Sequence, residues 1–305
     1  MSRWQGRWLI VPAILVRKLV RIAVVGLILT ASLPPTFAQQ PVTGVQPKPF
    51  SPESDFMSSS GYLRRVVADL APTGKLRVAL NMGNSTLVTK DPATGELRGV
   101  VPELGRALAE SLKVPFAPVE YPGVGAMVAA ITANAWDVTF LAFSPERAGD
   151  MDMSPAYMNV NVTYLVPSGS RIKSISDADQ AGVRISVQRG GATDIYLTGA
   201  LKQAQLVRAD TTPGAFELLR TGQADAIAQE VPNLLQFQGR LPGSQVLPGG
   251  FFVVRHVIGL PKGHPAGVAF VRAFVEQAKA SGFVKQAIER VGLRGVEVAL
   301  PAATP

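Results

Sequence analysis

The sequence predicts an α/β fold of two lobes, each with a mostly parallel sheet flanked by helices, joined by two crossing strands. Short β-rich runs alternate with amphipathic helical patterns from Lys75 onward, which is typical of parallel sheets covered by helices. The alternation starts again at Val183, and an extended run and two helices come after it. The 305 residues, 47% of them hydrophobic, suffice for about two domains with sizeable cores.

The first lobe is predicted to follow a β-α-β-α-β order after a short helix at residues 62–70. In its first long helix, Leu104, Leu108 and Leu112 recur on one face with a period near that of an α-helix. Pro102 suits the first turn of this helix, where no backbone N–H is required. The five segments are KLRVAL, VPELGRALAESLKV, PFAPVEY, GVGAMVAAITANA and WDVTFLAF.

The second lobe repeats the alternation and is bounded by two extended segments. Its segments are VRISVQ, ATDIYLTGALKQ, AQLVRA, TPGAFELLRTG and ADAIAQE. NVNVTYLVPSG precedes the lobe, and FFVVRHVIGL follows it with the helices PAGVAFVRAFVEQAKASG and FVKQAIERV. Since these last helices return the chain to the first lobe, the two extended segments are predicted to form a hinge. Strand ends that face each other across a hinge are where α/β folds bind small ligands.

This order predicts the limits of the parts of the chain. Lobe 1 is expected to comprise residues 61–163 and 255–298, and lobe 2 residues 164–254. Residues 39–60 are rich in Pro, Ser, Gln and Gly and have no apolar period, which predicts a flexible N-terminal linker. Residues 299–305 are expected to be a disordered tail.

Residues 1–38 are predicted to be a signal peptide. The basic stretch VRKLVR precedes the apolar run IAVVGLILTAS, which is too short to span a bilayer comfortably. Thr36 and Ala38 occupy the small-residue positions of a signal-peptidase site. An uncleaved anchor remains an alternative, because RWLIVPAILV adds a second apolar patch upstream. With no cysteine at the cleavage point, a lipid anchor is excluded, and a soluble exported protein is expected.

Composition excludes several classes of function. The formal charge of +8 suggests nucleic-acid binding, but five of the 30 basic residues and no acidic ones lie in residues 1–38. The remaining 25 basic and 22 acidic residues nearly balance, so no nucleic-acid partner is expected. The absence of cysteine excludes disulfides and thiolate metal sites. The two histidines, His256 and His264, have no neighbouring ligand pattern, so neither a metal nor a cofactor is expected.

From Gly74 to about Gly292 the chain resembles the periplasmic solute-binding proteins of polar amino-acid ABC transporters. The motifs that carry the resemblance are KLRVAL, GELRGVVPELGRALAESLKV, NAWDVTFLAFSPER, MDMSPAY, VPSGSRIKSISD, VRISVQRGGATD and GQADAIAQE. The resemblance implies the type II periplasmic-binding-protein fold, which closes like a flytrap around its ligand. It also implies a periplasmic monomer that captures a small carboxylate-bearing solute, first of all an amino acid, and delivers it to an inner-membrane permease.

The resemblance marks a carboxylate-binding pole. In such proteins the arginine of a Thr-Pro-Glu-Arg turn grips the ligand's α-carboxylate, and Arg147 holds that position here. A glycine-rich loop that opens a helix of the second lobe supplies amide donors to the same group. The matching residues are Gly190, Gly191, Ala192 and Thr193. An arginine fork and a helix N-terminus both suit a carboxylate on physical grounds as well.

Four more positions complete the implied site. Glu230 matches the acid that pairs with the α-ammonium group, one methylene longer than the commoner aspartate. Asn84 stands where the family has an aromatic residue that stacks on the ligand. Ser144 is the hydroxyl residue of the turn, and Ala142 replaces a second hydroxyl two residues earlier. These departures predict a cleft suited to a small aliphatic or amide-bearing ligand, or to a carboxylate without an ammonium group.

Structural alternatives exist for each pole. Arg147 on its own is more typical of a solvated turn. The glycine-rich loop could be an ordinary helix start with Thr193 as the N-cap. Glu230 could pair with a nearby base such as Arg189 or Arg220.

Two further functions compete with transport. A dehydratase-like enzyme on the same fold needs a positioned acid or base near the carboxylate. Glu230 is the only acid expected there, and no histidine is expected beside it, since His256 is predicted to be an ordinary strand residue. A sensory or regulatory binding domain would require a separate partner protein. The chain has no P-loop, G-x-S-x-G or H-E-x-x-H motif, so binding without catalysis is preferred.

Overall fold

The computed structural model describes residues 60–302. The predicted signal peptide, nearly all of the predicted linker and residues 303–305 lie outside the described residues. No helix within residues 60–302 is long and apolar enough to cross a membrane.

The helices follow the predicted order, except that the helix Val231–Gln238 was not predicted. They are α1 (Ser60–Leu70), α2 (Val100–Ser111), α3 (Val124–Ala129), α4 (Ala192–Ala200), α5 (Thr212–Arg220), α6 (Val231–Gln238), α7 (Pro265–Ala280) and α8 (Phe283–Val291). The predicted leucine stripe of α2 is confirmed, because Leu104, Leu108 and Leu112 are all buried. Helix α3 is shorter than predicted: the chain turns after Ala129, and Asn134 adopts a positive φ of 49°.

The strands include every one predicted and some short additional ones. They are β1 (Leu76–Asn81), β2 (Thr89–Lys90), β3 (Leu97–Arg98), β4 (Phe116–Tyr121), β5 (Val138–Ala142), β6 (Met151–Met153), β7 (Met158–Val166), β8 (Arg184–Gln188), β9 (Gln205–Ala209), β10 (Ala226–Glu230), β11 (Gln245–Val246), β12 (Phe252–Pro261) and β13 (Val296–Val298). Two 3₁₀ helices, Pro145–Gly149 and Ile175–Ala178, follow β5 and β7.

Two parallel groups of strands and two long antiparallel strands form the main path of the large sheet, in the order β4-β1-β5-β12-β7-β10-β8-β9. The short strands β11 and β13 also pair with β7, and β6 pairs with β12. Strands β4, β1 and β5 are parallel, and so are β10, β8 and β9. Strands β12 and β7 run antiparallel to each other and to the neighbouring groups. The predicted fold class, with two crossing strands between two α/β units, is confirmed. We call the unit with β4-β1-β5 lobe 1 and the unit with β10-β8-β9 lobe 2.

Each lobe has its own apolar core. In lobe 1, side chains such as Leu76, Phe140 and Phe270 pack helices α1, α2, α7 and α8 on the sheet. In lobe 2, Ile185 and Phe216 belong to the two smaller clusters on either side of its strands. Burying one side chain of this size stabilises the fold by about 1.5–3 kcal/mol. The lobes therefore have separate interiors. The residues at which one lobe ends and the other begins stay a prediction.

An arginine–aspartate pair recurs at the same place in both lobes. The Arg77 amide donates to the Asp137 carboxylate at 2.7 Å, and the Asp137 amide donates back to the Arg77 carbonyl at 2.9 Å. In lobe 2, Arg184 and Asp225 make the same two bonds, both at 2.8 Å. Both pairs add a salt bridge. Each aspartate is the residue just before a parallel strand, β5 or β10, and ties the start of that strand to an arginine of the neighbouring strand.

The predicted disordered tail packs against the protein at its start. Ala299 is buried, and its amide donates to the Tyr157 carbonyl at 3.2 Å. Lys279 donates from Nζ to the Leu300 carbonyl at 2.9 Å. The expectation that disorder begins at residue 299 is therefore wrong, because main-chain bonds continue past β13.

Candidate functional site

A cavity of about 40 Å³ lies between the lobes. The last residue of four strands lines it: Asn81 of β1, Ala142 of β5, Gln188 of β8 and Glu230 of β10. Two of these strands belong to each lobe. Such a crevice at the carboxyl ends of parallel strands is the usual ligand site of open α/β folds.

Seven of the nine predicted site residues line this cavity: Asn84, Ala142, Arg147, Gly191, Ala192, Thr193 and Glu230. The other two, Gly190 and Ser144, are not among its lining residues. Gly190 instead accepts a hydrogen bond from Arg147 through its carbonyl. Ser144 is buried, and its hydroxyl donates to the Glu146 carboxylate.

Arg147 reaches across the cavity from lobe 1 to lobe 2. It lies in the 3₁₀ helix after β5, and only 7% of it is exposed. Its Nη1 donates to the Ala142 carbonyl at 2.8 Å, and its Nη2 donates to the Gly190 carbonyl at 2.6 Å. Burial lowers the pKa of Arg147, although the nearby Glu146 carboxylate opposes this. Arg147 is therefore not a solvated turn residue.

The charge of Arg147 has no carboxylate partner in the described part of the chain. None of the salt bridges among residues 60–302 includes its guanidinium. Its hydrogen bonds to Ala142 and Gly190 go to neutral carbonyl groups. A buried cation without an anionic partner is costly, so the cavity favours an anion at this end.

The glycine-rich loop of lobe 2 ends at the cavity wall. Gly190 adopts a φ of +66°, and Gly191 is the N-cap of α4, so the alternative with Thr193 as N-cap is wrong. The Gly190 amide donates to Asp194 at 2.9 Å, and the Gly191 amide donates to the Gln188 carbonyl at 3.1 Å. The amides left for an anion are those of the first helical turn, beginning at Ala192 and Thr193.

Glu230 occupies the opposite end of the cavity and is 4% exposed. Its Oε1 lies 2.9 Å from His256 Nε2, and its Oε2 accepts from Asn84 Nδ2 at 3.2 Å. Burial acts to raise the pKa of Glu230, but the His256 charge and the hydrogen bonds of His256 and Asn84 outweigh it and lower the pKa. The hydrogen bonds with His256 and Asn84 thus favour the ionised form of this buried carboxylate.

Both predicted alternative partners of Glu230 are wrong. Arg189 pairs with Asp210 at 3.1 Å, and Arg220 pairs with Glu217 at 2.6 Å. Both pairs lie on the exposed surface.

The expectation that no histidine accompanies Glu230 is also wrong. His256 lies on β12, is 1% exposed and lines the cavity. The sequence signal was the alternation of FFVVRHVIGL, in which His256 shares an inward face with Val254 and Ile258. The alternation does not predict the register of β12, and it is this register that places His256 opposite Ala142 at the cavity.

Asn84 connects the lobes rather than replacing an aromatic wall. Its Oδ1 accepts from Asn233 Nδ2 at 2.9 Å and from the Thr86 amide at 3.0 Å. The adjacent Ser85 hydroxyl lies 2.6 Å from both Asn233 Oδ1 and Gln236 Oε1. The loop after β1 is therefore docked on the first turns of α6 in lobe 2.

The remaining lining residues were not predicted. They are Asn81, Leu87, Val124, Met127, Phe140, Leu141, Gln188, Gln229 and His256. The aliphatic members come from lobe 1, whereas Gln188 and Gln229 bond to Thr212 in lobe 2. Among residues 60–302, no group of three or more acidic or imidazole ligands is placed to hold a metal ion. The wall thus combines apolar surface with neutral amides and two charged ends.

The family profile "Bacterial extracellular solute-binding proteins, family 3" matches residues 76–292. The chain belongs to this family. The match spans both lobes and all four strand ends that line the cavity. Members of the family are binding proteins found outside the cytoplasm.

A curated relative and two solved structures agree with this assignment. The ABC transporter glutamine-binding protein GlnH of Bacillus subtilis (strain 168) is 21% identical over 63% of this chain and 72% of its own. The solute receptor for L-cysteine of Neisseria gonorrhoeae has a TM-score of 0.66, with 21% identity over 74% of this chain and 93% of its own.

An ancestral protein is similar too. AncCDT-1, described as an ancestral amino acid-binding protein and a precursor of cyclohexadienyl dehydratase, has a TM-score of 0.63. It is 23% identical over 73% of this chain and 97% of its own. At these identities the solved structures establish the fold alone. They show that the chain has the two-lobe fold of type II periplasmic binding proteins.

Proposed function

We propose that this family member is the substrate-binding component of an ABC transporter, capturing a small carboxylate-bearing solute between its lobes. An amino acid is the first candidate, because the curated relative binds glutamine and the similar structures are named for amino acids. The observation that carries the proposal is Arg147, a buried guanidinium without an anionic partner among the described residues.

In this proposal Arg147 binds the ligand carboxylate. The carbonyls of Ala142 and Gly190 hold the guanidinium at the cavity wall, and its remaining N–H groups are available to an anion. The amides at the start of α4 and the positive end of the helix dipole add to the same pole. Because Gly190 belongs to lobe 2, the anion is bound best when the lobes are together.

Glu230 supplies the second pole in the same proposal. A carboxylate can accept about four hydrogen bonds, and two sites of Glu230 are used by His256 and Asn84. The remaining acceptor positions suit the α-ammonium group of an amino acid. Contacts from both lobes then favour the closed state when ligand is present, which is a population shift.

The wider setting is part of the proposal. Residues 1–38 would direct export and be removed, leaving a periplasmic monomer that delivers its ligand to a membrane permease. The family and the name of the GlnH relative support this role. Neither nucleic acid nor a cofactor is involved.

A dehydratase-like enzyme is the second candidate. The Glu230–His256 pair provides an acid and a base within hydrogen-bond distance at the cavity wall. AncCDT-1 adds support, since it is described as a precursor of such an enzyme. Binding without turnover remains the preferred function, because the family consists of binding proteins.

A thermal-shift screen of the exported protein tests both candidates. Amino acids, small carboxylates and amines are added separately, and a true ligand raises the melting temperature as it saturates the protein. A hit that Arg147→Ala abolishes supports the proposal, whereas hits restricted to amines contradict it. Chromatography of the hit after incubation detects turnover, which would favour the enzyme.

A further inference from the structure

His256 is the third titratable residue of the cavity, and the ligand contacts proposed above do not include it. Its Nε2 lies 2.9 Å from Glu230 Oε1, with side-chain exposures of 1% and 5% for the two residues. Its Nδ1 is buried and has no hydrogen-bond partner in the described part of the chain. A buried ring that lines a cavity with one unsatisfied nitrogen points to a role in the cavity.

We propose that His256 determines which group the cleft accepts opposite the ligand carboxylate. Neutral His256 leaves the charge of Glu230 for a ligand ammonium group, so the cleft favours a zwitterionic amino acid. Protonated His256 compensates Glu230 internally, so the cleft favours a carboxylate without an ammonium group. This inference rests on the proposed function, in which Arg147 binds the carboxylate.

The charges of the cavity give the direction of the effect. Of its lining residues, only Arg147, Glu230 and His256 carry or acquire charge. With neutral His256, a zwitterion pairs both buried charges, whereas a simple anion leaves Glu230 without a cation. With protonated His256, Glu230 has its cation, and an added ammonium group would meet a second positive charge. Unpaired and like charges in a buried site are both costly.

No other group described around His256 is expected to change its charge between about pH 5 and 8. On its own strand, the Arg255 guanidinium lies over the Phe143 ring, 4.6 Å from its centroid. Tyr157, which precedes β7, has its ring centroid 6.3 Å from that of His256. Burial and the Glu230 charge raise the pKa of Tyr157 well above its ordinary value, so it stays neutral. The paired residues on the adjacent strands, Ala142 and Met158, are uncharged.

The test compares amino acids with their deamino counterparts over a pH series. The probes are L-alanine with propionate, L-glutamine with glutaric acid monoamide, and L-arginine with 5-guanidinopentanoate. Affinities are measured by titration calorimetry between about pH 5 and 8, the interval in which histidines change charge. The amino-acid probes keep their α-carboxylate and α-ammonium charges throughout this interval. The carboxyl groups of the deamino probes are partly protonated at its acid end, so their affinities are compared per ionised carboxylate.

We expect the affinity for the bound amino acid to rise at least about fivefold from the lowest to the highest pH. The affinity for its deamino counterpart is expected to fall or stay constant. His256→Gln keeps an N–H donor for Glu230 but cannot be protonated, so it should remove the slope for the amino acid. His256→Asn is the second variant, and melting curves confirm that both variants fold.

The chain offers a matched control. His264 is its only other histidine, and it lies 3.8 Å from Asp69 outside the cavity lining. His264→Gln should therefore retain the slope of the unaltered protein. A slope that persists in both His256 variants, or a wild type that binds amino acids with no pH dependence, overturns the inference alone. Failure of all six probes at every pH overturns the proposed function with it.

Discussion

Arg147 Nη2 lies 2.6 Å from the carbonyl oxygen of Gly190, so one side chain of lobe 1 is anchored on the main chain of lobe 2. At the other end of the cavity, Asn84 of lobe 1 donates to Glu230 of lobe 2 at 3.2 Å. Each of these two inter-lobe bonds is made by one of the charged residues of the cleft, Arg147 or Glu230. Closure of the lobes and recognition of the ligand therefore depend on the same residues.

Arg147→Ala should weaken binding of any carboxylate ligand by at least about 2 kcal/mol, roughly 30-fold. Arg147 and His256 are the basic residues that line the cavity, and His256 pairs with Glu230. Without Arg147 the ligand carboxylate would be buried without a cationic partner. Titration calorimetry measures the loss. Arg189→Ala is the control, because Arg189 precedes the same loop but forms an exposed pair with Asp210. Unchanged affinity in Arg147→Ala would exclude the clamp.

Glu230→Gln separates the two ligand poles. The variant keeps an acceptor for Asn84 and removes the charge that an ammonium group needs. Amino acids should lose at least about tenfold in affinity, whereas carboxylates without an ammonium group should lose much less. Parallel titrations of one amino acid and its deamino counterpart provide the comparison. Equal losses for both ligands would exclude an ammonium-binding role for Glu230.

Gly123→Ala should act as a wedge between the lobes. A Cβ at Gly123 would lie 2.9 Å from the Asp210 carbonyl oxygen and 3.0 Å from Gln188 Nε2, both in lobe 2. The backbone of Gly123 is extended, with φ −164°, so alanine strains nothing within lobe 1. The closed state is therefore disfavoured selectively.

We expect Gly123→Ala to increase the radius of gyration in small-angle scattering with ligand present, and to weaken binding about tenfold. Gly125→Ala is the matched control two residues further on, since a Cβ there meets nothing within 4 Å. Equal scattering curves and affinities for both variants would show that this contact does not limit closure.

The order of elements was predictable because it depends on local periodicity. Alternating β-rich and helical patterns gave the strands of both lobes, and Pro102 with the leucine stripe gave α2. The crossing of β7 and β12 followed from where the last helices belong. The shorter α3 was missed, because its sequence keeps helical character while the chain already turns at Ala130.

Individual site residues were predictable from the sequence, but their side-chain partners were not. Arg147 was singled out because the resemblance places it at the carboxylate-binding arginine of the family's turn, and its burial fits that interpretation. The partner of Glu230 was missed because His256 is 26 residues away along the chain, and only strand register brings them to 2.9 Å. The docking of Asn84 and Ser85 on α6 was missed for the same reason, since side-chain partners across a cleft leave no periodic signal.

The repeated arginine–aspartate pairs give a prediction about stability. Asp137 is 2% exposed at its side chain and Asp225 is 34% exposed, although both make the same main-chain bonds. In each Asp→Asn variant one oxygen remains to accept from the arginine amide, while the charge and the second acceptor oxygen, which faces the guanidinium, are lost. Asp137→Asn should lower the free energy of unfolding by about 1–3 kcal/mol, because the buried ion pair with Arg77 loses its anion. Asp225→Asn should cost less, because water already screens its pair with Arg184. Urea unfolding of both variants measures the difference, and an equal or reversed order would show that burial does not set the strength of these pairs.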